Sequence, residues 1–396
     1  MLEPGSLAEW TVMILSLFAT AFWLLVYLGA AWNLRAVRDL EPGEEPGAWP
    51  SLTVIVPACN EADTIEPALQ SLIDQDYPDI ELIVVNDRST DGTGEIIERL
   101  AAQQSHVRAV HVESLPARWL GKVHALHFGT EAARGDWLLF TDADVCYAPG
   151  ALRAIVSRAL TDGLDHLTAL PRIKPGGIGL GAMLSAFSLL FFSRMRVGAV
   201  ADPDSEAYVG VGAMNLVRRE VFQRTPGWEW LRVETADDLG LGMMMKQAGG
   251  RCALALAPDW MELEWYDSVG AMVRGLEKNT AGAATHYSKL AAVLVPLLLL
   301  VLNVLPWLTA AGPLSTRLGP WPASAILLAI VASSLVTAAR LGVSSLHVLA
   351  SPFALVFGLW WTIVRSVILC HWRGGVIWRG TLYPVDMLRE GQRVKL

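Results

Sequence analysis

An apolar run, Leu138-Leu139-Phe140, gives way to Thr141-Asp142-Ala143-Asp144, two carboxylates one residue apart. Burying paired carboxylates is costly unless a cation or hydrogen-bond donors compensate. At the end of a buried strand, such a pair directs both side chains towards one hard, oxygen-loving ion, Mg2+ or Mn2+, held for a diphosphate. A solvated turn is the plainer reading of the same residues. Two further groups bear on the choice. Lys122 follows Gly121 at the predicted start of a helix, where its ammonium and the helix dipole would together meet a diphosphate. Asp237 and Asp238 fall in the first turn of another predicted helix, with Thr235 as its expected cap. Capping employs one carboxylate and leaves the other free to act as a general base.

These groups need a scaffold, and the chain offers alternating strand and helix patterns from residue 52 onward. Strands are expected over 52–56, 80–85, 107–112 and the run before Asp142, with helices reaching about 74, about 103, from 122 to 134, and after Pro149. Alternation of this kind builds a mostly parallel sheet flanked by helices, an α/β fold. Ligands in such sheets bind off the carboxyl ends of the strands, where Asn60, Glu61, Asp87, Asp91, Asp142 and Asp144 would gather. Residues 208–217 read as a glycine-bearing loop and strand; its glycines, Gly212 among them, permit close approach to a sugar.

Membrane signals frame this domain. The chain has 396 residues, 53% of them apolar, and a positive mean hydropathy, too oily for a wholly soluble enzyme. Residues 10–32 are uncharged with Trp at both ends, as a transmembrane helix requires; a signal peptide would need a basic start and a small-residue cleavage site. Arg35 and Arg38 follow it and place the downstream domain in the cytoplasm by the positive-inside rule. Residues 177–200 are apolar but carry Arg194 and Arg196. A span there would part Asp142 and Asp144 from the later acid pair, so the segment is expected in the bilayer interface, a buried core helix being the alternative. The divisions are an anchor at 1–38, a linker at 39–50, a catalytic domain at 51–265, an amphipathic segment at 266–289, membrane helices within 290–372, and a basic tail at 373–396. Apolar segments at 290–311, 323–339 and 346–370 pose a parity problem, because three spans starting inside finish outside. The tail, with Arg373, Arg379, Arg389, Arg393 and Lys395, favours the inside. Either the last segment folds back near Pro352 or the tail defies the charge rule.

Other classes are excluded or weakened. A net charge of -8 without a basic stripe argues against nucleic acid as the main partner. Four cysteines without C-x-x-C spacing read as reduced thiols, neither a zinc site nor a disulfide framework.

Taken together, the motifs resemble a membrane-bound family 2 glycosyltransferase of the GT-A fold. Pro57-Ala58-Cys59-Asn60-Glu61 is similar to the family's P-x-x-N-E, and Asn86-Asp87-Arg88-Ser89-Thr90-Asp91-Gly92-Thr93 to its D-D-x-S-x-D-x-T, with Asn in the first position. Asp142-Ala143-Asp144 is similar to the metal-binding D-x-D, and Asp237-Asp238 with Leu241 to the E-D-x-x-L that carries the base. Residues 118–122 and 371–380 resemble the branch acting on hopanoid, ceramide and carotenoid lipids, though the R-W motif of ceramide transferases and processive synthases is missing near Arg274 and Lys278.

The resemblance implies an inverting, metal-dependent transfer of one sugar from a nucleoside diphosphate donor, with UDP as the expected carrier, to a lipid hydroxyl at a bacterial inner membrane. It implies that Pro57, Asn60, Glu61, Asp87, Asp91, Lys122 and Asp142 bind the nucleotide sugar, that Asp144 and Asp142 hold Mg2+ or Mn2+, and that Asp238, with Asp237 beside it, is the base. Gly212, Asn215 and Arg274 are the candidates on the acceptor side. A processive polysaccharide synthase and a nonenzymatic transporter or nucleotide-sugar sensor are the rival readings.

Overall fold

The structure, a computed structural model, describes residues 5–174, 176–312, 314 and 316–394; Lys395 of the basic tail lies outside them. Its centre is a nine-stranded sheet. The strands are β1 (Arg38–Asp39), β2 (Leu52–Ala58), β3 (Ile80–Asp87), β4 (Val107–Val112), β5 (Trp137–Phe140), β6 (Cys146–Tyr147), β7 (His166–Ile173), β8 (Asn215–Arg218) and β9 (Cys252–Leu263). They lie in the order β1-β9-β7-β8-β5-β2-β3-β4, with β6 added against β9. Leu52, Val54, Ile55 and Val56 of β2 and Leu82, Ile83, Val84 and Val85 of β3 are all essentially inaccessible. Continuous apolar runs of this kind belong to strands covered on both faces.

The first half follows the alternating pattern. Helices α2 (Ile65–Ile73) and α3 (Thr93–Gln103) connect the parallel neighbours β2, β3 and β4, α4 (Gly121–Ala132) carries the chain from β4 back to β5 on the other edge of β2, and α5 (Ala151–Thr161) leads from β6 to β7. Two strands run longer than expected: β2 continues through Pro57 to Ala58, and β3 through Asn86 to Asp87, so Asp87 is the last residue of a strand. The second half departs from the parallel pattern. β8 sits antiparallel between β5 and β7, because the chain reaches it through the irregular stretch 200–214 and not through a crossover helix. The sheet is therefore mixed.

Helix α6 (Ile178–Arg194) leaves the sheet and lies against α1 (Leu7–Ala36). Its middle turns, including Leu180, Met183, Leu184 and Ala186, are buried. Protein therefore covers much of the apolar face expected to meet lipid. Short helices α7 (Arg219–Phe222) and α8 (Gly227–Trp230) precede α9 (Asp237–Gln247), which Ala236 begins without a side-chain cap, in place of the expected Thr235.

After α10 (Val269–Gly275) and α11 (Glu277–Thr285) come the long apolar helices α12 (Lys289–Ala310) and α13 (Trp321–Leu341). The three long helices run side by side. Trp23 Nε1 donates to Leu302 O at 2.9 Å, and Ser16 meets Thr309 at 3.5 Å, so α1 and α12 are antiparallel with their far ends together. Arg340, at the end of α13, pairs with Asp39 of β1 at 2.9 Å, which returns the chain to the side of the sheet.

The last apolar segment is one continuous run, Ser345–Arg373, built from α14 (Ser345–Phe353), a π-helical stretch (Ala354–Leu359) that follows Pro352, and α15 (Trp360–Arg373). It starts four residues beyond Leu341, and at its far end Arg373 and Ser366 hold Glu277 of α11. Both ends lie on the side of the sheet. Leu346, Leu349, Phe353, Phe357, Trp361, Ile368 and Trp372 form an exposed apolar face along it, opposite buried Val348, Ser351, Leu355, Leu359, Thr362 and Ser366. Spacing by three, four and seven gives one stripe on a helix. The run passes Pro352 without folding back, it is long and apolar enough to cross a membrane, and both of its ends are fastened to the sheet domain. The tail, β10 (Gly375–Trp378), β11 (Thr381–Pro384) and α16 (Val385–Gly391), packs on the sheet domain.

Candidate active site

The carboxyl end of β5 carries the first acid pair. β5 is a central strand with all four residues buried, bonded to β2 on one edge and β8 on the other. Past Phe140 the ladder stops: Thr141 N–H donates to Ile55 O and Asp142 N–H to Gly212 O, both at 3.2 Å. That places Asp142 beside the 208–214 loop. Lys122, in the first turn of α4, reaches across with Nζ 2.6 Å from Asp142 Oδ1 and 3.5 Å from Asp237 Oδ2.

Asp238 faces the same space. Its Oδ2 accepts the N–H of Gly212 at 3.0 Å and its Oδ1 that of Leu239 at 2.8 Å. Gly212 thus stands between the acids, and a Cβ there would lie 2.6 Å from Asp142 Oδ2. Only glycine fits without displacing one of them. Pro57, Lys122, Asp142, Gly212, Asn215, Asp237 and Asp238 line one small cavity.

Charge is unevenly distributed around it. Burial, the Asp142 carboxylate and Glu61 push the Asp144 carboxyl up to about 7. Burial and the neighbouring Asp237 raise Asp238 to about 6. Asp142 moves the opposite way, held below its usual range against its own burial by the charge and hydrogen bond of Lys122. Among the described residues no group of three or more His, Cys, Asp and Glu is arranged to hold a metal ion alone. Two carboxylates that repel each other, open to substrate oxygens, still suit Mg2+ or Mn2+, which completes its shell with phosphate and water.

The other sequence candidates divide. Asp87 is buried, takes both nitrogens of the Arg88 fork at 2.8 and 3.2 Å, and lies against Gly121, where a Cβ would approach its Oδ2 to 2.2 Å. Glu61 pairs with Arg379 of the tail, and burial raises its carboxyl. Asn60 and Asp91 are brought to the same rim, but their side-chain oxygens already bind backbone. Asn60 Oδ1 takes Thr90 N–H at 2.8 Å, and Asp91 takes Thr93 N–H at 3.0 Å and Ala62 N–H at 3.1 Å. They splice the first two strand-end loops together. Asn215 is likewise occupied, bonded to His166 at 3.1 Å and Val211 O at 2.7 Å and only 2% exposed. Arg274 is exposed and is not brought to the acids.

One turn further along the chain, Lys278 is the cation of this segment that acts on the acids. Its charge acts on Asp142, Asp237 and Asp238, its Nζ sits 3.7 Å from the centroid of the Trp378 ring, and burial followed by repulsion from Lys122 lowers it to about 8. Trp378, Arg379 and Tyr383 were not among the sequence candidates. Tyr383 Oη accepts the Gly121 N–H at 3.3 Å. The only sequence signal for them is the tail motif around Trp378-Arg379-Gly380, because a hundred residues separate Trp378 from Lys278.

A mixed sheet with flanking helices and acids at the carboxyl ends of its central strands is a GT-A-like arrangement. The structure resembles that described as mannosyltransferase PcManGT from Pyrobaculum calidifontis in complex with GDP-Man and Mn2+, with a TM-score of 0.54 and 22% identity over 89% of this chain and 99% of that one. Residues 53–225 match the model of Glycosyl transferase family 2. Curated relatives match parts of the same chain. The uncharacterized glycosyltransferase YibD of Escherichia coli (strain K12) is 35% identical over 114 residues, 29% of this chain and 32% of that protein. A 4,4'-diaponeurosporenoate glycosyltransferase of Staphylococcus aureus (strain bovine RF122 / ET3-1) is 27% identical over 193 residues, 48% of this chain and 50% of that protein. The chain spans half or less of the length of these relatives.

Proposed function

We propose that the protein moves a single sugar from a nucleoside diphosphate donor, with UDP as the expected carrier, to a hydroxyl of a membrane lipid, with inversion. One observation carries the lipid part of this reading: Lys278, which faces Asp142, Asp237 and Asp238, is on α11, and α11 leads within a few residues into the long apolar helix α12. This proximity of the acids to the start of an apolar helix supports an acceptor held in the bilayer surface.

In this mechanism Asp87 and Glu61 border the nucleotide, while Lys122 and Lys278 balance the charge of the diphosphate. Asp144 and Asp142 would hold the divalent metal, whose chemistry there is to stabilise negative charge on the departing diphosphate. Asp238 removes the acceptor proton, its Oδ2 fixed by the Gly212 N–H. Asp237 sits against Lys122 and keeps that ammonium directed into the site. Attack opposite the leaving group inverts the anomeric carbon in one displacement. A base matched to a hydroxyl is the reason to prefer an alcohol as acceptor, since a carboxylate acceptor needs none.

The test pairs UDP release from a panel of UDP-sugars with mass spectrometry of lipids from cells carrying the protein or its Asp238→Asn form. A lipid heavier by one sugar, present only with the intact protein, supports the reading. A polymer in its place transfers the case to a processive synthase, and donor binding without any nucleotide release supports a sensor.

A further inference from the structure

Glu234 is 2% exposed and carries no role in the chemistry above. Its Oε1 accepts the N–H of Ala236 at 3.0 Å, and its Oε2 accepts the N–H groups of Arg393 and Val394 at 2.6 and 2.9 Å. One buried carboxylate thus ties the turn before Asp237 and Asp238 to a segment more than 150 residues later. Bonds of this charge-assisted kind are the strong ones. The packing beside it is equally close. A Cβ at Gly391 would lie 1.7 Å from Val233 Cγ2, and the Arg393 guanidinium sits 5.4 Å from the centroid of the Trp230 ring.

The other end of the same segment reaches the donor side. Arg379 pairs with Glu61 and donates to Asn60 O at 3.4 Å. Trp378 covers Lys278, Tyr383 takes the Gly121 N–H beside Lys122, and Glu390 pairs with Arg118 at 2.6 Å. Residues 375–394 therefore touch the loop of Glu61, the start of α4 and the turn before α9 in one run. Anchoring the chain to a membrane requires none of these contacts.

We propose that residues 375–394 form a clasp belonging to the active site, and that Glu234 is the positioning residue through which the clasp holds the Asp237/Asp238 end of α9 in register with Lys122 and Asp142. The inference rests on reading Asp238 as the base. Glu234 touches no reacting atom; it acts by fixing where α9 begins.

The experiment uses the full chain in detergent with the E234Q, E234D, G391A and E234Q/G391A substitutions, reading donor KM, kcat and amide hydrogen exchange. E234Q turns an N–H donor pair towards other donors, whereas G391A wedges the same joint apart with Glu234 intact. A misplacement of about 1 Å costs on the order of 10²-fold in turnover, so each single change lowers kcat by about that factor, with donor KM within roughly threefold. The double variant is no worse than the poorer single, since both break one joint, and E234D keeps an intermediate kcat. Exchange at residues 236–240 rises together with exchange at 393–394. Full kcat in E234Q, losses that multiply in the double variant, or loosening at 393–394 with 236–240 unchanged overturns the clasp. If the unaltered protein transfers no sugar, the transferase reading fails, while the exchange measurement still decides the clasp.

Discussion

Lys122 Nζ lies 2.6 Å from Asp142 Oδ1 and 3.5 Å from Asp237 Oδ2, so a single ammonium bridges the acid that ends β5 and the acid that begins α9. Asp142 and Asp237 are 95 residues apart in sequence and meet at this side chain. Lys122→Met removes it while keeping a similar stem. Losing a hydrogen bond to a charged group is worth about 1.5–3 kcal/mol, so kcat/KM for the donor should fall roughly 10–100-fold, read by steady-state nucleotide release.

Asp238 titrates near 6 because burial and Asp237 disfavour its charge. A base must be ionised, so kcat should rise with pH and level off above about 6, falling close to tenfold per unit below it. Asp238→Asn should remove that limb and lower turnover by ~10²–10⁴ while leaving donor binding intact. The stability effect has the opposite sign. A carboxyl raised in the folded state costs stability as pH climbs from its ordinary value to 6, and the full cost persists above 6. The Asn variant should therefore melt higher than the parent at pH 7.5, with the gap closing below pH 4.

Gly212→Ala places a Cβ 2.6 Å from Asp142 Oδ2, between that acid and the N–H that Asp238 accepts. Turnover should fall at least 10²-fold with an unchanged melting temperature, because the strain falls on a loop and not on the core. An active Gly212→Ala protein would show that the two acids do not need this spacing.

Divalent metal should bind with a pH dependence set by Asp144, raised to about 7 by burial, Asp142 and Glu61. A metal displaces the proton, so Mn2+ affinity should weaken as pH falls through 7. Paramagnetic resonance of Mn2+ with UDP reads this directly. Asp144→Ala should abolish both the binding and the response of activity to added metal.

Ser345–Arg373 is long and apolar enough to cross a membrane, yet both of its ends are fastened to the sheet domain. Cysteines introduced singly at Gly380 and Gly312, in a background lacking the four native cysteines, should therefore react from opposite faces of sealed vesicles. Gly380 should label with the catalytic side and Gly312, at the far end of α12, with the other. Labelling of both from one face would make Ser345–Arg373 a crossing helix.

Much of this was written in local patterns. The apolar runs before Asp87 and Asp142 declare buried strands, because strands covered on both faces need continuous hydrophobicity. Acids at their ends mark the ligand edge, and long uncharged helices mark the membrane. Such signals depend on neighbours in sequence. What tertiary structure alone decided is which distant groups share a space. Arg274 and Lys278 both read as cations on an amphipathic stretch, and only the packing of α11 against the tail chose Lys278. Asn60 and Asp91 looked like free ligands until folding gave their oxygens to neighbouring backbone. The length and hydropathy of Ser345–Arg373 fit a span, yet hydropathy records no direction. Its course follows from where its ends are fastened, near Arg340 and at Glu277.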